Sequence, residues 1–416
     1  MRKILIVGAG QSGLMLAIGL QARGYDVTVM SARTAGEIRG GWPTSTQMMY
    51  GPALNWERKF GLNLWEDQAP HVPGMEVSLA AEPGNQAFSF YGGLDEYAIS
   101  VDQRLKMSTW LELFENRGGR VIYHPVMTSD LTGLVPMYDL TLIAAGRGEL
   151  VELFDRDATR SRYTQPLRTL SAIYLHGVEF PAEIPDQSLR ANLEPGVGEM
   201  FTPVGLTLSG PTLIALIEAV PGGPFDVFRD RPSPTEHLRR LRHLLDEHFP
   251  WEGRLYRHAE PTDARASVTG MLVPTVRHPV GEVAPGTYVL GMADVVVVND
   301  PIGQGSNSAA HCAGMYLNSI VERGSRPFDP TWMQQAFENF WQNRARDVTT
   351  LSNFLLEPMP EYAQQIFFAA SQYPPVAKRV AGLFAHPEDV HDFLLDQEKG
   401  PAYVASVAAA QPSRLS

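Results

Sequence analysis

The feature that most constrains the fold of this 416-residue chain is a glycine turn between a strand and a helix at its N-terminus. Residues 3–7 form an apolar, β-branched run that predicts a buried strand, and residues 14–20 predict a helix. The turn between them has the spacing G-x-G-x-x-G, with Gly8, Gly10 and Gly13. A second predicted strand at residues 26–30 completes the unit. In this setting the glycine spacing indicates a dinucleotide-binding turn.

Each residue of this turn has a physical role in the prediction. Gly8 permits the tight turn, Gly10 lets a pyrophosphate approach the backbone, and Gly13 lets the helix pack closely on the strand. Gln11 and Ser12 begin the helix, whose unpaired N–H groups and partial positive charge favour phosphate. We therefore expect the phosphates of a dinucleotide to lie over this turn.

The end of the second strand departs from the usual pattern. An acidic residue normally holds the ribose hydroxyls there, whereas this strand runs into Ser31-Ala32-Arg33. We expect Ser31 and Arg33 to hold the adenosine end more weakly, which predicts modest cofactor affinity.

Charge and composition exclude several classes of partner. The net charge of −12 at pH 7 disfavours nucleic acid and anionic membrane surfaces. Cys312 is the only cysteine, which excludes an intrachain disulfide and fits a reducing compartment. No run approaches the ~20 apolar residues of a membrane span. We therefore expect a soluble, cytoplasmic protein.

The remaining pattern predicts two kinds of sheet and several helices. Further strands of the first sheet are predicted at residues 120–123, 138–146 and 286–291. Short antiparallel strands are predicted within residues 77–91, and a separate antiparallel sheet is predicted from residues 171–178, 200–208 and 212–220. Helices are predicted at residues 102–116, 233–248, 308–322 and across 329–384, whereas residues 34–68 have no regular pattern.

The predicted helices carry an arginine and three histidines that are candidates for ligand binding. Arg104 lies in the first turn of its helix, so it is either solvated or aimed at an anion beyond the N-terminus. The second interpretation is favoured in a dinucleotide protein. His237, His243 and His248 share no metal-ligand spacing, so we expect them on a solvated face and expect no metal site.

A second glycine-rich segment precedes the predicted helix at residues 308–322. It follows Asp294 and contains Gly303, Gln304, Gly305, Ser306 and Asn307. Two helix N-termini far apart in sequence suit a long ligand with two ends better than a simple nicotinamide site. One N-terminus would meet the pyrophosphate, and the other a ring that becomes negatively charged.

Three blocks in fixed order carry a family resemblance. They are the opening glycine turn, residues 139–146 with their Ala-Ala-Gly end, and Asp294 followed by the run Asp-Pro-Ile-Gly-Gln-Gly at residues 300–305. Together they resemble FAD-dependent monooxygenases of the hydroxybenzoate-hydroxylase fold. Residues 100–105, 300–307 and 352–354 look more closely like the styrene and indole monooxygenases, the epoxidase components of two-component systems. The resemblance covers nearly the whole chain.

The resemblance implies an α/β fold in three parts. A Rossmann-like FAD-binding domain would comprise residues 1–44, 96–150 and 270–325. A substrate domain built on an antiparallel sheet would comprise residues 45–95 and 151–269, followed by a C-terminal helical region at residues 326–416. Ala293, where glycine is common, and a segment before Gly303 that is one residue short depart from the family pattern.

The pocket motif within this group favours the indole type. The motif Ser-x-Gln-x-Met occurs at Ser45, Gln47 and Met49, whereas the styrene-type Asn-x-Val-x-His does not. Ser45 or Gln47 would accept the indole N–H, and Met49, Pro301 and Ile302 would supply apolar contacts to the substrate.

The chemistry implied by the resemblance is oxygen transfer by the cofactor. Reduced FAD reacts with O2 to give a C4a-hydroperoxide, whose outer oxygen epoxidises an electron-rich C=C bond of indole or a styrene-like molecule. We expect no catalytic acid or base from a side chain, since no Ser/His/Asp or paired-carboxylate arrangement is evident. The chain has one strand–GxGxxG–helix unit, so FADH2 would come from a separate NADH-dependent flavin reductase, which docks transiently or delivers it by diffusion.

Three alternatives remain open. A single-component NAD(P)H-dependent aromatic hydroxylase also has one such unit. A flavin halogenase is disfavoured because the chain has no Trp-x-Trp-x-Ile-Pro segment. The third is a flavin-binding protein without oxygenase activity. The oligomeric state is a separate question, and a homodimer is an open alternative to a monomer.

Overall fold

The structure, a computed structural model, describes residues 1–44, 46–146, 148–179, 187–299 and 302–410. Its strands are β1 Lys3–Val7, β2 Asp26–Ser31, β3 Met48–Met49, β4 Val72–Glu82, β5 Asn85–Ser100, β6 Arg120–Tyr123, β7 Leu140–Ile143, β8 Thr169–His176, β9 Leu189–Glu194, β10 Gly198–Thr202, β11 Val204–Thr207, β12 Gly210–Ala219, β13 Glu260–Pro261, β14 Ser267–Met271, β15 Thr275–Val276, β16 Val280–Ala284, β17 Thr287–Gly291 and β18 Val297–Val298. Its α-helices are α1 Gln11–Gln21, α2 Ala35–Arg39, α3 Gly51–Phe60, α4 Gln103–Asn116, α5 Thr128–Leu134, α6 Pro234–His248, α7 Pro250–Gly253, α8 Gly305–Arg323, α9 Pro330–Phe340, α10 Arg346–Leu356, α11 Glu361–Ala370, α12 Pro374–Gly382, α13 Val390–Phe393 and α14 Lys399–Ala410.

The first sheet has the strand order β16-β17-β7-β1-β2-β6. All its pairs are parallel except the β16–β17 hairpin. Val7 at the end of β1 is in register with Met30 on one side and Ile143 on the other. The carboxyl ends of β1, β2 and β7 therefore meet at one edge, where a ligand of an open α/β sheet is expected.

The second sheet is separate from the first. Its strand order is β13-β8-β12-β10-β9-β4-β5-β3, with β11 paired to β12 and β14 paired to β8. It is antiparallel apart from the β4–β9 pair. The strands predicted in this region are confirmed, and the β4–β5 hairpin extends well beyond the predicted residues 77–91.

The C-terminal helices pack on both sheets. Phe337 on α9 belongs to the apolar core around the first sheet, together with α1 and α8. Val376 on α12 belongs to a second core that contacts β5. The three-part domain division stays a proposal. None of the helices in the described ranges is both long and apolar enough to cross a lipid bilayer.

Residues 34–68 contain helices, which corrects the expectation of irregular structure. Thr34 and Glu37 form a reciprocal capping box that begins α2. Pro52 lies in the first turn of α3, and Gly61 ends that helix with φ +64°. These local signals are present in the sequence, but the many glycine and tryptophan residues nearby conceal them.

Two of the three histidines on α6 are buried, which corrects their predicted solvated face. His237 is fully buried and lies 3.2 Å from the Ser171 hydroxyl, and burial lowers its pKa to about 4. His248 is buried with Nδ1 2.8 Å from a Glu194 carboxylate oxygen. His243 is exposed, as expected. The amphipathic helix turns its two buried histidines toward the second sheet.

Candidate active site

The opening glycine turn has the geometry that its spacing predicts. Gly8 has φ +120°, and a Cβ there would lie 2.7 Å from the Ala144 carbonyl carbon of the neighbouring strand end. A Cβ on Gly13 would overlap the carbonyl oxygen of Gly8. A Cβ on Gly10, by contrast, would meet nothing within 4 Å. Gly8 and Gly13 are therefore needed by the fold, whereas Gly10 leaves open space where a ligand can reach the backbone.

A single cleft of about 1200 Å³ connects the opening turn with the late glycine-rich segment. Of the residues predicted to bind a cofactor, those that line it are Gly10, Gln11, Ser12, Asp294, Gln304, Gly305 and Ser306. The N-caps of α1 and α8, Gly10 and Gln304, make no side-chain capping bond. Two helix N-termini with uncapped N–H groups thus face one cleft, as a ligand that is anionic at two places requires.

Glutamine side chains tie these helix N-termini together. The Gln11 amide donates to the Ser306 carbonyl at 3.0 Å and to the Met49 sulfur at 3.3 Å. Gln103, at the start of α4, donates to the Gln11 amide oxygen at 3.1 Å. Gln103 is not among the predicted site residues, although its place beside Arg104 in the 100–105 block was a usable signal. The network fixes the relative positions of three helix starts around the cleft.

The side chains of Gln304 and Asn307 point away from the cleft. Buried Asn307 accepts from the Tyr50 backbone N–H at 2.9 Å and donates to the carbonyls of Met48 and Gly303 at 3.0 and 2.8 Å. The Gln304 amide donates to the Phe384 carbonyl at 2.8 Å. Both side chains therefore hold the loop before α8, and its backbone faces the cleft.

Asp294 lies at the cleft wall after a strained residue. Ala293 adopts φ +50°, a left-handed conformation that costs an L-residue about 1–2 kcal/mol. Glycine, which the family resemblance implies at this position, would adopt this conformation without that cost. A Cβ on Gly146 would lie 3.0 Å from the Asp294 Cβ, so the end of β7 passes close beside Asp294.

The adenosine-side residues and Arg104 lie outside the lining of this cleft. The Ser31 hydroxyl donates to the Arg33 carbonyl at 2.6 Å, and Arg33 is exposed. Arg104 is buried and pairs with the carboxylate of its own N-cap, Asp102, at 2.7 Å. The anion expected beyond the helix N-terminus stays a prediction, and in the structure the guanidinium pairs with Asp102.

The substrate-motif segment lies next to the cleft. Ser45 and Pro301 fall outside the described residues, as does Asp300, but Thr44 and Thr46 beside Ser45 line the cleft. Gln47 has φ +55° and is buried, and its amide donates to the Tyr174 hydroxyl. A buried non-glycine residue in this conformation is strained, and such strain is frequent at functional sites.

The predicted apolar contacts are buried in the two cores. Met49 is fully buried in the first core, and Ile302 is packed in the second. Neither is among the residues that line the cleft. Their contact with a substrate stays a proposal.

The residues present fit FAD. The open face at Gly10 provides the close backbone approach that a pyrophosphate needs, and the N-terminus of α1 provides donors. The second N-terminus, of α8, provides partial positive charge at the other end of the cleft. His311 and Cys312 of α8 do not line the cleft, and burial lowers the pKa of His311 to about 3 and raises that of Cys312 to about 12.

Comparisons with known proteins relate this chain to styrene monooxygenase. Residues 146–254 match the styrene monooxygenase A substrate-binding domain. Over 409 residues the chain is 27% identical to styrene monooxygenase StyA of Pseudomonas fluorescens, with 96% of each chain covered. It is 26% identical, with the same coverage, to styrene monooxygenase StyA of a Pseudomonas species.

Solved structures share the fold at low identity. A flavoprotein/dehydrogenase from Cytophaga hutchinsonii has a TM-score of 0.67 at 11% identity, with 99% of this chain and 100% of the other covered. A mutant of the halogenase PltM in complex with FAD has a TM-score of 0.62 at 11% identity, with 98% and 86% covered. The fold is thus that of the hydroxybenzoate-hydroxylase group, as expected. The matched domain and the two full-length relatives make this chain similar to styrene monooxygenase, and they support a flavin-dependent monooxygenase with FAD as its cofactor.

Proposed function

We propose that this chain epoxidises an electron-rich C=C bond conjugated to an aromatic ring, with indole as the favoured substrate and styrene as a second one. The observation that carries the proposal is the one cleft that both glycine segments line, with the substrate-motif neighbours Thr44 and Thr46 on its wall. The likeness to styrene monooxygenase supports epoxidation, and the Ser45-x-Gln47-x-Met49 motif favours indole.

The protein's part in this reaction is binding and orientation. Reduced FAD, when bound, would supply the activation of O2 that epoxidation needs. We assign the pyrophosphate to Gly10, Gln11 and Ser12, and the ring end to the loop that Asn307 holds. Gly303, Gly305 and Asp294 complete the proposed cofactor contacts. Placing the C=C bond in a cleft shielded from water also suppresses wasteful side reactions.

We assign recognition of the indole N–H to Gln47, with Ser45 beside it. The Gln47 amide nitrogen donates to the Tyr174 hydroxyl, which fixes the orientation of the amide group. Burial raises the pKa of Tyr174 well above its usual value, so the hydroxyl stays protonated. Styrene has no N–H, so a polar contact of this kind discriminates between the two substrates.

The first experiment supplies chemically reduced FAD, O2 and indole to the purified chain without NADH. We expect indigo to form from the oxidised indole, at a rate that increases with the concentration of the purified protein. A chain that needs NAD(P)H and a phenol for turnover would instead support a single-component aromatic hydroxylase. Separate delivery of FADH2 by an NADH-dependent reductase is part of the same proposal and predicts restoration of turnover by an added flavin reductase with NADH.

The second experiment tests the substrate assignment with Gln47→Leu. We expect kcat/KM to fall by roughly 2- to 10-fold for indole and to change little for styrene, because one net hydrogen bond is removed. Tyr174→Phe keeps the Gln47 side chain and removes only the hydroxyl that orients it, so it should cause a smaller loss for indole and little change for styrene. Equal losses for both substrates would contradict recognition of the N–H by Gln47.

A further inference from the structure

Arg344 is a buried cation behind the loop that precedes α8. It lies in a π-helical segment, Trp341–Ala345, between α9 and α10, and only 5% of its surface is exposed. π-Helical turns inside α-helices are rare and frequent at functional sites. No sequence pattern indicates this residue, because its role depends on contacts with residues 304 and 385.

The guanidinium of Arg344 is bound on one side to the cleft loop. One terminal nitrogen donates to the Gln304 side-chain oxygen at 3.1 Å, and the other donates to the Ala385 carbonyl at 3.2 Å. Gln304 is the N-cap of α8 and lines the cleft. Arg344 is not among the residues that line the cleft, but it contacts Gln304, which does line it.

The positive charge of Arg344 has no close counter-charge. In the described ranges no carboxylate lies within 4 Å of it, and its Nε has no hydrogen-bond partner. Burial lowers its pKa to about 10, and the more distant carboxylates of Glu388 and Asp347 act in the opposite direction. The group stays charged at neutral pH. A buried, unpaired cation is costly to the fold, so a compensating role near a ligand is expected.

We propose that Arg344 is a positioning residue for the flavin, which fixes the Gln304 loop and adds positive potential that favours reduced over oxidised FAD. Reduced flavin carries an extra negative charge on its ring at neutral pH. The uncapped N-terminus of α8 and the guanidinium behind it both favour that charge. A preference for the reduced form suits a chain that takes up FADH2. The inference concerns the flavin alone and does not depend on the substrate.

The test separates the charge from the contact by measuring the dissociation constants of oxidised and reduced FAD anaerobically. Arg344→Met removes both, and we expect the preference for reduced FAD to fall by about 3- to 10-fold. Arg344→Lys keeps the charge and should keep most of the preference. Gln304→Leu removes the contact and keeps the cation, so it should weaken both forms alike and leave their ratio unchanged.

Arg346→Met is the matched control, because it removes an exposed arginine from the same helical run. It should leave the ratio unchanged. Equal weakening of both forms by Arg344→Met, or a ratio in Arg344→Lys as low as in Arg344→Met, would overturn the electrostatic role. Should Arg344→Met fail to fold, a collapsed ratio in either Arg344→Lys or Gln304→Leu would overturn it equally.

Discussion

The two glycine-rich segments of the cleft act in different ways. In the opening turn the backbone sets the shape of the cleft, because Gly8 and Gly13 allow close packing and Gly10 leaves open space. In the late segment the side chains of Gln304 and Asn307 point away from the cleft, and their hydrogen bonds to the protein interior hold the loop in place. The comparison teaches that a motif built on backbone geometry can be interpreted from its spacing, whereas a motif built on side-chain contacts depends on distant parts of the chain.

The largest effect expected is on stability, from Gly13→Ala. The added methyl group would overlap the Gly8 carbonyl, and neither backbone can move without breaking the β1–α1 packing. We expect the free energy of unfolding to fall by roughly 2–4 kcal/mol, measured by chemical denaturation. An unchanged free energy of unfolding would contradict this prediction, because it would mean that the turn rearranges to accommodate the methyl group.

Asn307→Ala tests the late segment in the same way. Three hydrogen bonds to Tyr50, Met48 and Gly303 are lost in a buried place, so we expect a loss of about 2–4 kcal/mol. Ser308→Ala, one residue along α8, is the control and should change stability little. A stable Asn307→Ala protein that has lost only FAD binding would show that Asn307 contacts the flavin rather than the loop.

Gly10→Ala should separate binding from folding. A methyl group there meets no protein atom within 4 Å, so stability should change by less than about 0.5 kcal/mol. The same methyl group occupies the pyrophosphate approach, and we expect the FAD dissociation constant to rise at least ~10-fold. The measurement is a fluorescence titration with FAD beside a denaturation curve. Wild-type affinity would place the phosphates elsewhere.

The smallest effect expected comes from Ala293→Gly. Glycine adopts φ +50° without the steric cost that alanine bears, so we expect a gain of about 0.5–1 kcal/mol in the free energy of unfolding. FAD affinity should stay within a factor of about two, because Asp294 keeps its place. A loss of stability would show that packing of the buried Ala293 methyl group outweighs its backbone strain.

The fold and the geometry of the opening glycine turn were predictable from local sequence patterns. The strand–turn–helix unit, the antiparallel strands and the cap of α4 by Asp102 were all confirmed. Helix α8 begins at Gly305, three residues before the predicted start at residue 308. The glycine and serine residues there do not indicate a helix. The directions of the Gln304 and Asn307 side chains depend on contacts with residues far along the chain, whereas Arg104 pairs with Asp102 two residues before it.

The most direct test of the account is the structure of the chain crystallised with FAD. The pyrophosphate should lie within hydrogen-bonding reach of the N–H groups that follow Gly10, and the flavin ring should lie beside the loop at residues 303–306. FAD bound at another surface, with the space between the two glycine segments left empty, would contradict the assignment of this cleft.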